Sequence, residues 1–176
     1  MKLLYTLGHG TLASDVFRTT LRAAGVHIAA DVRRFAGSRR NPQFGAAEMR
    51  GWLAPAGIAY QAMPNLGGRR EPRTDSPNAG LRNSGFRGYA DYMETPEWRG
   101  AFDALIAQAD ERVTAIFCAE TLWWKCHRRL VADAAVLLAG FDVVHLTPAT
   151  HAAHVLTPGV RRAGEGLIYP AATAPA

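Results

Sequence analysis

Cysteine is scarce in this chain of 176 residues, with only Cys118 and Cys126 present. Two thiols are too few for a disulfide scaffold, and both are expected to be reduced. Lysine is equally scarce. It occurs only at Lys2 and Lys125, so eighteen of the twenty basic residues are arginine. No apolar run reaches the roughly 18–20 residues that span a bilayer. The longest, from Ala132 to Leu146, is broken by Asp133 and Asp142. The first ten residues lack the length of apolar core that a secretory signal needs, and a cytoplasmic location with no membrane partner is expected. Gly67-Gly68-Arg69-Arg70 lacks the Gly-Lys-Ser/Thr ending of a phosphate-binding Walker loop. Gly8-His9-Gly10 lacks the full dinucleotide fingerprint, so no nicotinamide or flavin cofactor is implied.

What is present is positive charge in clusters. The net charge is +5. Four arginines fall between Arg33 and Arg40, five between Arg69 and Arg87, and Arg128 is followed by Arg129. An Arg-rich, Lys-poor composition is also what a GC-rich genome produces. Clustering in loops nevertheless points to anion recognition, because guanidinium pairs bidentately with phosphate or carboxylate.

Apolar runs at Lys2–Leu7, Val26–Val32, Ile58–Met63, Val113–Ala119 and Asp142–Leu146 read as strands. Helical spacing marks Asp15–Ala24 after a Ser14 cap, Ala46–Ala56, and a segment from Pro96 to about Gln108 capped by Thr95. Tyr89–Met93 reads as the start of a further helix, and Thr121 as the cap of a helix reaching Ala139. Strands alternating with helices predict an α/β fold, a single-domain, Rossmann-like, three-layer architecture with a mostly parallel sheet. Pro64–Gly88 reads as a long Arg/Gly/Pro-rich loop, ordered by Leu66, Leu81 and Phe86. Residues 1–156 form the expected domain. Residues 157–176 form a C-terminal extension that is partly mobile at its end.

Ligands of open α/β sheets bind beyond the carboxyl ends of the strands. The candidate catalytic residues collect there: His9 after the first strand, Cys118 and Glu120 after a central one, and Cys126 with His127 near the start of the next helix. A thiol near a helix start and several arginines is expected to ionise readily. Each residue also has a plainer role. Cys118 and Cys126 fit packed positions, Glu120 fits an arginine partner, Asp31 fits an ion pair with Arg33, and His9 fits a turn. The candidate anion-binding set is Arg33, Arg34, Arg39, Arg40, Arg69, Arg70, Arg87, Arg128, Arg129 and Tyr89. Cys118, Cys126, His127 and His9 are ligand types for zinc or iron. However, Cys-x₇-Cys-His lacks the short spacing of structural zinc sites, and no cofactor is expected. At least one of Trp123 and Trp124 belongs to the core.

Six segments resemble one family in order: Thr6-Leu7-Gly8-His9-Gly10-Thr11, Asp31-Val32-Arg33-Arg34, Gly37-Ser38-Arg39-Arg40-Asn41-Pro42-Gln43-Phe44, Leu66-Gly67-Gly68-Arg69-Arg70, Phe86-Arg87-Gly88-Tyr89-Ala90-Asp91-Tyr92-Met93, and Cys118-Ala119-Glu120 with Cys126-His127-Arg128-Arg129. The family is that of domain of unknown function 488, small bacterial and archaeal proteins, and the resemblance runs from Leu4 to Leu156. Relatives often carry Ser where Gly10 stands and Pro within Leu122-Trp123-Trp124. The resemblance implies an α/β fold and no particular activity. A Cys-x₅-Arg phosphate cradle is absent, since the first arginine after Cys118 is Arg128.

Together these features point to an enzyme that binds a phosphate-bearing substrate, a nucleotide or nucleic acid, in an arginine-rich cleft with Cys/His/Glu chemistry. The alternatives are a non-catalytic nucleic-acid-binding module, a metal- or redox-sensing domain, and arginines that pin the long loop to Asp31, Asp75, Asp91 and Glu120. The reaction and the oligomeric state are not written in the sequence.

Overall fold

The computed structural model describes residues 2–37 and 39–171. Its centre is a six-stranded sheet built from β1 (Leu3–Gly8), β2 (Ile28–Asp31), β3 (Ala59–Ala62), β4 (Thr114–Cys118), β5 (Asp142–Leu146) and β6 (His151–Ala153). The strand order is β3-β2-β4-β1-β5-β6. The first five strands are mutually parallel, and β6 pairs antiparallel with β5. The 3-2-1-4-5-6 order of dinucleotide-binding sheets is different: here β4 lies between β2 and β1.

Alternation along the strands sends side chains to opposite faces, and each face is covered. Leu7, Ala29, Ala115 and Phe117 share one cluster with Phe17 and Leu21 of α1 (Ser14–Ala23) and Met49 and Leu53 of α2 (Ala46–Leu53). Leu4, Ala30 and Ile116 face the other way. They meet Tyr89 and Ala90 of α3 (Ser84–Tyr92), Trp98, Phe102 and Leu105 of α4 (Pro96–Glu111), and Leu130, Val131, Ala134 and Ala135 of α5 (Arg128–Ala139). Covered faces explain why β4 is buried through Phe117 and reads as an unbroken apolar run. Burying one such side chain contributes about 1.5–3 kcal/mol.

Local signals were right in some places and overridden in others. Thr95 caps α4, its hydroxyl accepting from the Trp98 N–H at 3.3 Å, with Pro96 in the first turn. Ser14 makes no capping bond, because the helix already starts at that residue after Ala13. Thr121 caps nothing: a short 3-10 turn at Trp123–Lys125 intervenes, and α5 starts only at Arg128. Asp142–Leu146 is not the last strand. β6 follows it, and β7 (Arg161–Ala163) and β8 (Gly166–Ile168) form a separate antiparallel hairpin. Leu167 and Tyr169, from the expected extension, belong to the α3–α5 core cluster. Mobility was expected for the last few residues; 172–176 lie outside the described residues, as does Ser38.

No helix or strand is formed from Gly67 to Asn83. Asp91 of α3 organises this stretch, accepting from the Arg73 N–H (2.8 Å), the Ser76 hydroxyl (2.6 Å) and the Asn78 amide (2.8 Å). Asn78 in turn accepts from the Tyr169 N–H at 2.9 Å. Satisfied polar groups of this kind hold an irregular segment in place without a helix or strand. No helix among the described residues is long and apolar enough to cross a membrane.

Candidate functional site

The register of the sheet decides what meets at its carboxyl edge. Gly8 of β1 stands opposite Cys118 of β4. Backbone bonds continue past the strands: His9 N–H to Cys118 O at 2.9 Å, Gly10 N–H to Ala119 O at 3.0 Å, and Val32 N–H to Phe117 O at 3.1 Å. The chain after β4 folds back over β1, where the Arg128 guanidinium donates to the Glu120 carbonyl. A Cβ at Gly8 would collide with that same carbonyl, so this crossing requires glycine.

The fold-back brings Cys126 and His127 to Cys118. Cys126 Sγ accepts from Arg128 Nε at 3.3 Å and lies 3.7 Å from His127 Nδ1. His127 Nε2 lies 2.9 Å from the Val32 carbonyl, which can only accept, so Nε2 carries a proton and Nδ1 is the nitrogen that faces the sulfur. Cys118 Sγ, Cys126 Sγ and a His127 ring nitrogen all lie within 4.8 Å of one another. Gly68 closes the other side of the ring, since a Cβ there would stand 2.9 Å from His127 Nδ1.

Burial opposes ionisation of Cys126. The hydrogen bond from the Cys118 thiol, the charges of His127 and Arg128, and the His127 hydrogen bond outweigh it and hold the Cys126 pKa well below the usual thiol value. Cys118 is pushed the opposite way, first because it donates to Cys126 and then by burial. Of the two thiols, Cys126 is the one whose ionisation its surroundings favour.

A cavity of about 300 Å³ opens over this cluster, lined by Arg33, Arg34, Phe35, Arg69, Cys118 and His127 among others. A second, of about 330 Å³, shares Arg69, Cys118 and His127 and extends past Phe86 to Glu120, Lys125 and Cys126. Glu120 is exposed at this edge, and its carboxylate makes no hydrogen bond or ion pair among the described residues.

The expected residues separate into two groups here. Cys118, Glu120, Cys126 and His127 converge with Arg33, Arg34 and Arg69. His9 does not join them. It is 1% exposed, stacks on Phe44 at 4.1 Å, donates from Nδ1 to the Gly10 carbonyl, and accepts on Nε2 from Arg33 at 3.2 Å. Burial, opposed by the Gly10 bond and reinforced by the Arg33 charge, lowers its pKa to about 4 and keeps the ring neutral. Tyr89 is fully buried. Its hydroxyl donates to the Leu66 carbonyl at 2.6 Å and accepts from Trp98 Nε1 at 2.9 Å, inside the core.

Several arginines are pins. Arg33 is held by Asp31 through Nε (2.8 Å) and Nη2 (2.6 Å), and Asp31 also takes the Tyr60 hydroxyl at 2.7 Å. Arg70 donates to the Gly67 carbonyl and stacks over Tyr92 at 3.6 Å. Arg87 donates to the Leu81 carbonyl, Arg129 to the Thr157 hydroxyl, and Arg128 to the cluster and its loop. Arg39 and Arg40 are exposed and do not line the cavities described. At the cleft, Arg34 spans to the Arg69 carbonyl at 3.0 Å and lies over Phe35, which is 64% exposed. Arg69 has φ 60°, a conformation unusual for a side-chain-bearing residue, and its exposed side chain borders both cavities.

Sequence reasoning missed a second buried cluster. Thr6 Oγ lies 2.6 Å from His145 Nδ1, His145 Nε2 lies 2.9 Å from His154 Nδ1, and His154 Nε2 lies 2.9 Å from Asp133. Asp133 also accepts from the Tyr169 hydroxyl and the Thr157 N–H. If the Thr6 hydroxyl donates to His145 Nδ1, the donors run in one direction, through Nε2 of His145 and then of His154, toward Asp133. Trp123 stacks on His145 at 4.0 Å. The one visible signal was Asp133 inside an apolar helix, a charge that needs partners.

A family model described as Domain of unknown function DUF488 matches residues 13–135, more than half of the chain and within the span of the motif resemblance. No curated protein and no solved structure matches the chain.

Proposed function

The chain belongs to the DUF488 family, and within it we propose an enzyme that binds a phosphate-bearing, nucleotide-sized substrate in the cleft above Cys118, Cys126 and His127. One observation carries the reading. A cavity of about 300 Å³ is walled by Arg33, Arg34, Arg69 and the exposed ring of Phe35, with sulfur and imidazole at its floor. Arg34 and Arg69 hold the phosphate, Lys125 adds charge at the far end, and Phe35 offers a face on which a base stacks. Arg33, paired with Asp31, contributes a fixed dipole more than a free charge. Glu120, exposed beside the cluster, is the group that takes up or delivers a proton. On this reading the sheet is a Rossmann-like variant. The path of the chain supports it, running from β1 to β3 on one side and returning through β4 to β5 on the other.

Titration with inorganic phosphate and a nucleoside monophosphate, followed by calorimetry, tests the reading. We expect saturable binding that Arg69→Ala and Arg34→Ala each weaken about tenfold, as the loss of one charge-assisted hydrogen bond does. Nucleotide affinity that Phe35→Ala leaves untouched removes the base from the reading. Binding seen only with long nucleic acid, falling steeply with salt, replaces the enzyme with a binding module.

A further inference from the structure

We propose that Cys118, Cys126 and His127 form a mononuclear site for a zinc-class divalent cation, with one ligand position open to the cleft. The proposal rests on the cleft reading above and names the cofactor of that same site.

Four observations carry it. The first is donor chemistry. Two thiols and one imidazole suit a borderline-soft cation, and three protein ligands with a vacant fourth position are the pattern of catalytic rather than structural zinc. The second is distance. Tetrahedral bonds of zinc to sulfur and to nitrogen place those ligand atoms about 3.6 Å apart. Cys126 Sγ and His127 Nδ1 are 3.7 Å apart, and all three ligand atoms lie within 4.8 Å of each other. Small rotations of the side chains close the site. The third is orientation. A histidine that ligates a metal nearly always donates its other N–H to a carbonyl or carboxylate, which fixes the tautomer. His127 does so to the Val32 carbonyl at 2.9 Å, leaving Nδ1 as the ligand atom. Arg128 Nε, donating to Cys126 Sγ at 3.3 Å, is the matching partner of a thiolate ligand.

The fourth is access. Cys118, Cys126 and His127 all line the cavity that holds Glu120 and Lys125, so the open position faces the volume where substrate is placed. A water or a phosphate oxygen completes the coordination there. The spacing Cys-x₇-Cys-His argued against zinc only because it was measured along the chain. The two cysteines come from the end of β4 and the loop before α5, and the fold brings them together.

The test uses the full chain, purified under reducing conditions, stripped with a chelator and reloaded with Co²⁺. We expect one Co²⁺ per chain, with tetrahedral d–d absorption and a sulfur-to-cobalt charge-transfer band. Cys118→Ser should lower the charge-transfer intensity by about half, the share of one sulfur in two. His127→Ala should keep the band and weaken binding by at least the 10–100-fold that loss of a mere supporting group costs. Circular dichroism on each variant separates lost binding from lost folding. If a variant unfolds, competition of Zn²⁺ for Co²⁺ in the wild-type chain still gives the stoichiometry and the affinity. Less than 0.2 equivalents bound, on the order of background, or an octahedral spectrum without the sulfur band, overturns the proposal. Phosphate titrations of the stripped and reloaded proteins separate the two readings. Phosphate binding without metal uptake leaves the cleft standing and removes the cation. Metal uptake without phosphate or nucleotide binding does the reverse.

Discussion

Two buried polar clusters lie on either side of Arg128, and they are built on opposite principles. On one side, Thr6, His145, His154, Asp133 and Tyr169 form a closed chain in which each donor meets an acceptor. On the other, Cys118, Cys126 and His127 gather two sulfurs and a ring nitrogen within 4.8 Å of one another beside a cleft. Closed networks stabilise and specify a core, whereas groups left uncommitted beside a cavity are available for chemistry. The arginines divide in the same way: Arg33, Arg70, Arg87, Arg128 and Arg129 hold other parts of the chain, while Arg69 is exposed and lines the cleft.

The contrast breaks most easily at Asp133. Its carboxylate is fully buried and joins α5 to His154, Thr157 and Tyr169. Asp133→Ala is expected to cost about 3–5 kcal/mol, because it strands three buried donors. Urea unfolding measures this, and a loss under about 1 kcal/mol would mean the closed chain is not what holds the C-terminal segment.

Acid is the next lever. Burial, aided by His154 and Arg128 and opposed by Cys126, lowers the pKa of His145 to about 3. An unfolded histidine titrates near 6.5. The neutral ring is therefore favoured in the fold, and its contribution is complete above about pH 6.5 and lost progressively as pH falls toward 3. Thr6 and His154 are hydrogen-bonded to the ring, Trp123 covers it, and Asp133 stands beyond His154. His145→Gln should make the thermal midpoint decline less steeply between pH 7 and 5. An unchanged slope in the variant assigns the acid sensitivity to other groups.

On the open side, Gly68→Ala sharpens the comparison. The added methyl meets His127 Nδ1 at 2.9 Å, so ring or loop must shift at a cost of about 1–3 kcal/mol. Cobalt affinity should fall more than stability does, and a variant that unfolds easily yet binds cobalt normally contradicts the placement of the ring. The smallest effect is expected at Arg40, exposed and away from the cavities described. Arg40→Ala should stay within about 0.5 kcal/mol in stability and within twofold in phosphate affinity. A tenfold weakening would extend the anion surface beyond the cleft.

Periodicity and punctuation made the five parallel strands and most helices legible, because those signals are local. An unbroken apolar run at Val113–Ala119 suits a strand covered on both faces, and Thr95-Pro96 is a helix start by its own chemistry. Thr121 misled for the same reason in reverse. Its capping chemistry was sound, but the crossing over Gly8 and the bond from Arg128 to Glu120 kept the chain out of a helix until Arg128. For His9 the sequence shows a histidine between glycines, which resembles a ligand contact, and only packing sets its ring on Phe44 and against Arg33.

By itself, the sequence determined the residue chemistry: an α/β alternation, arginines in loops, two cysteines, and strand ends carrying polar groups. Such features depend on neighbours within a few residues. Whether Cys118 meets Cys126, which arginines are free, and that His145, His154 and Asp133 form one chain were decided by tertiary structure alone. The physical reason is register. Parallel pairing of β1 with β4 and the return of the chain over Gly8 bring distant groups to within a few ångströms, and no spacing along the chain encodes that distance.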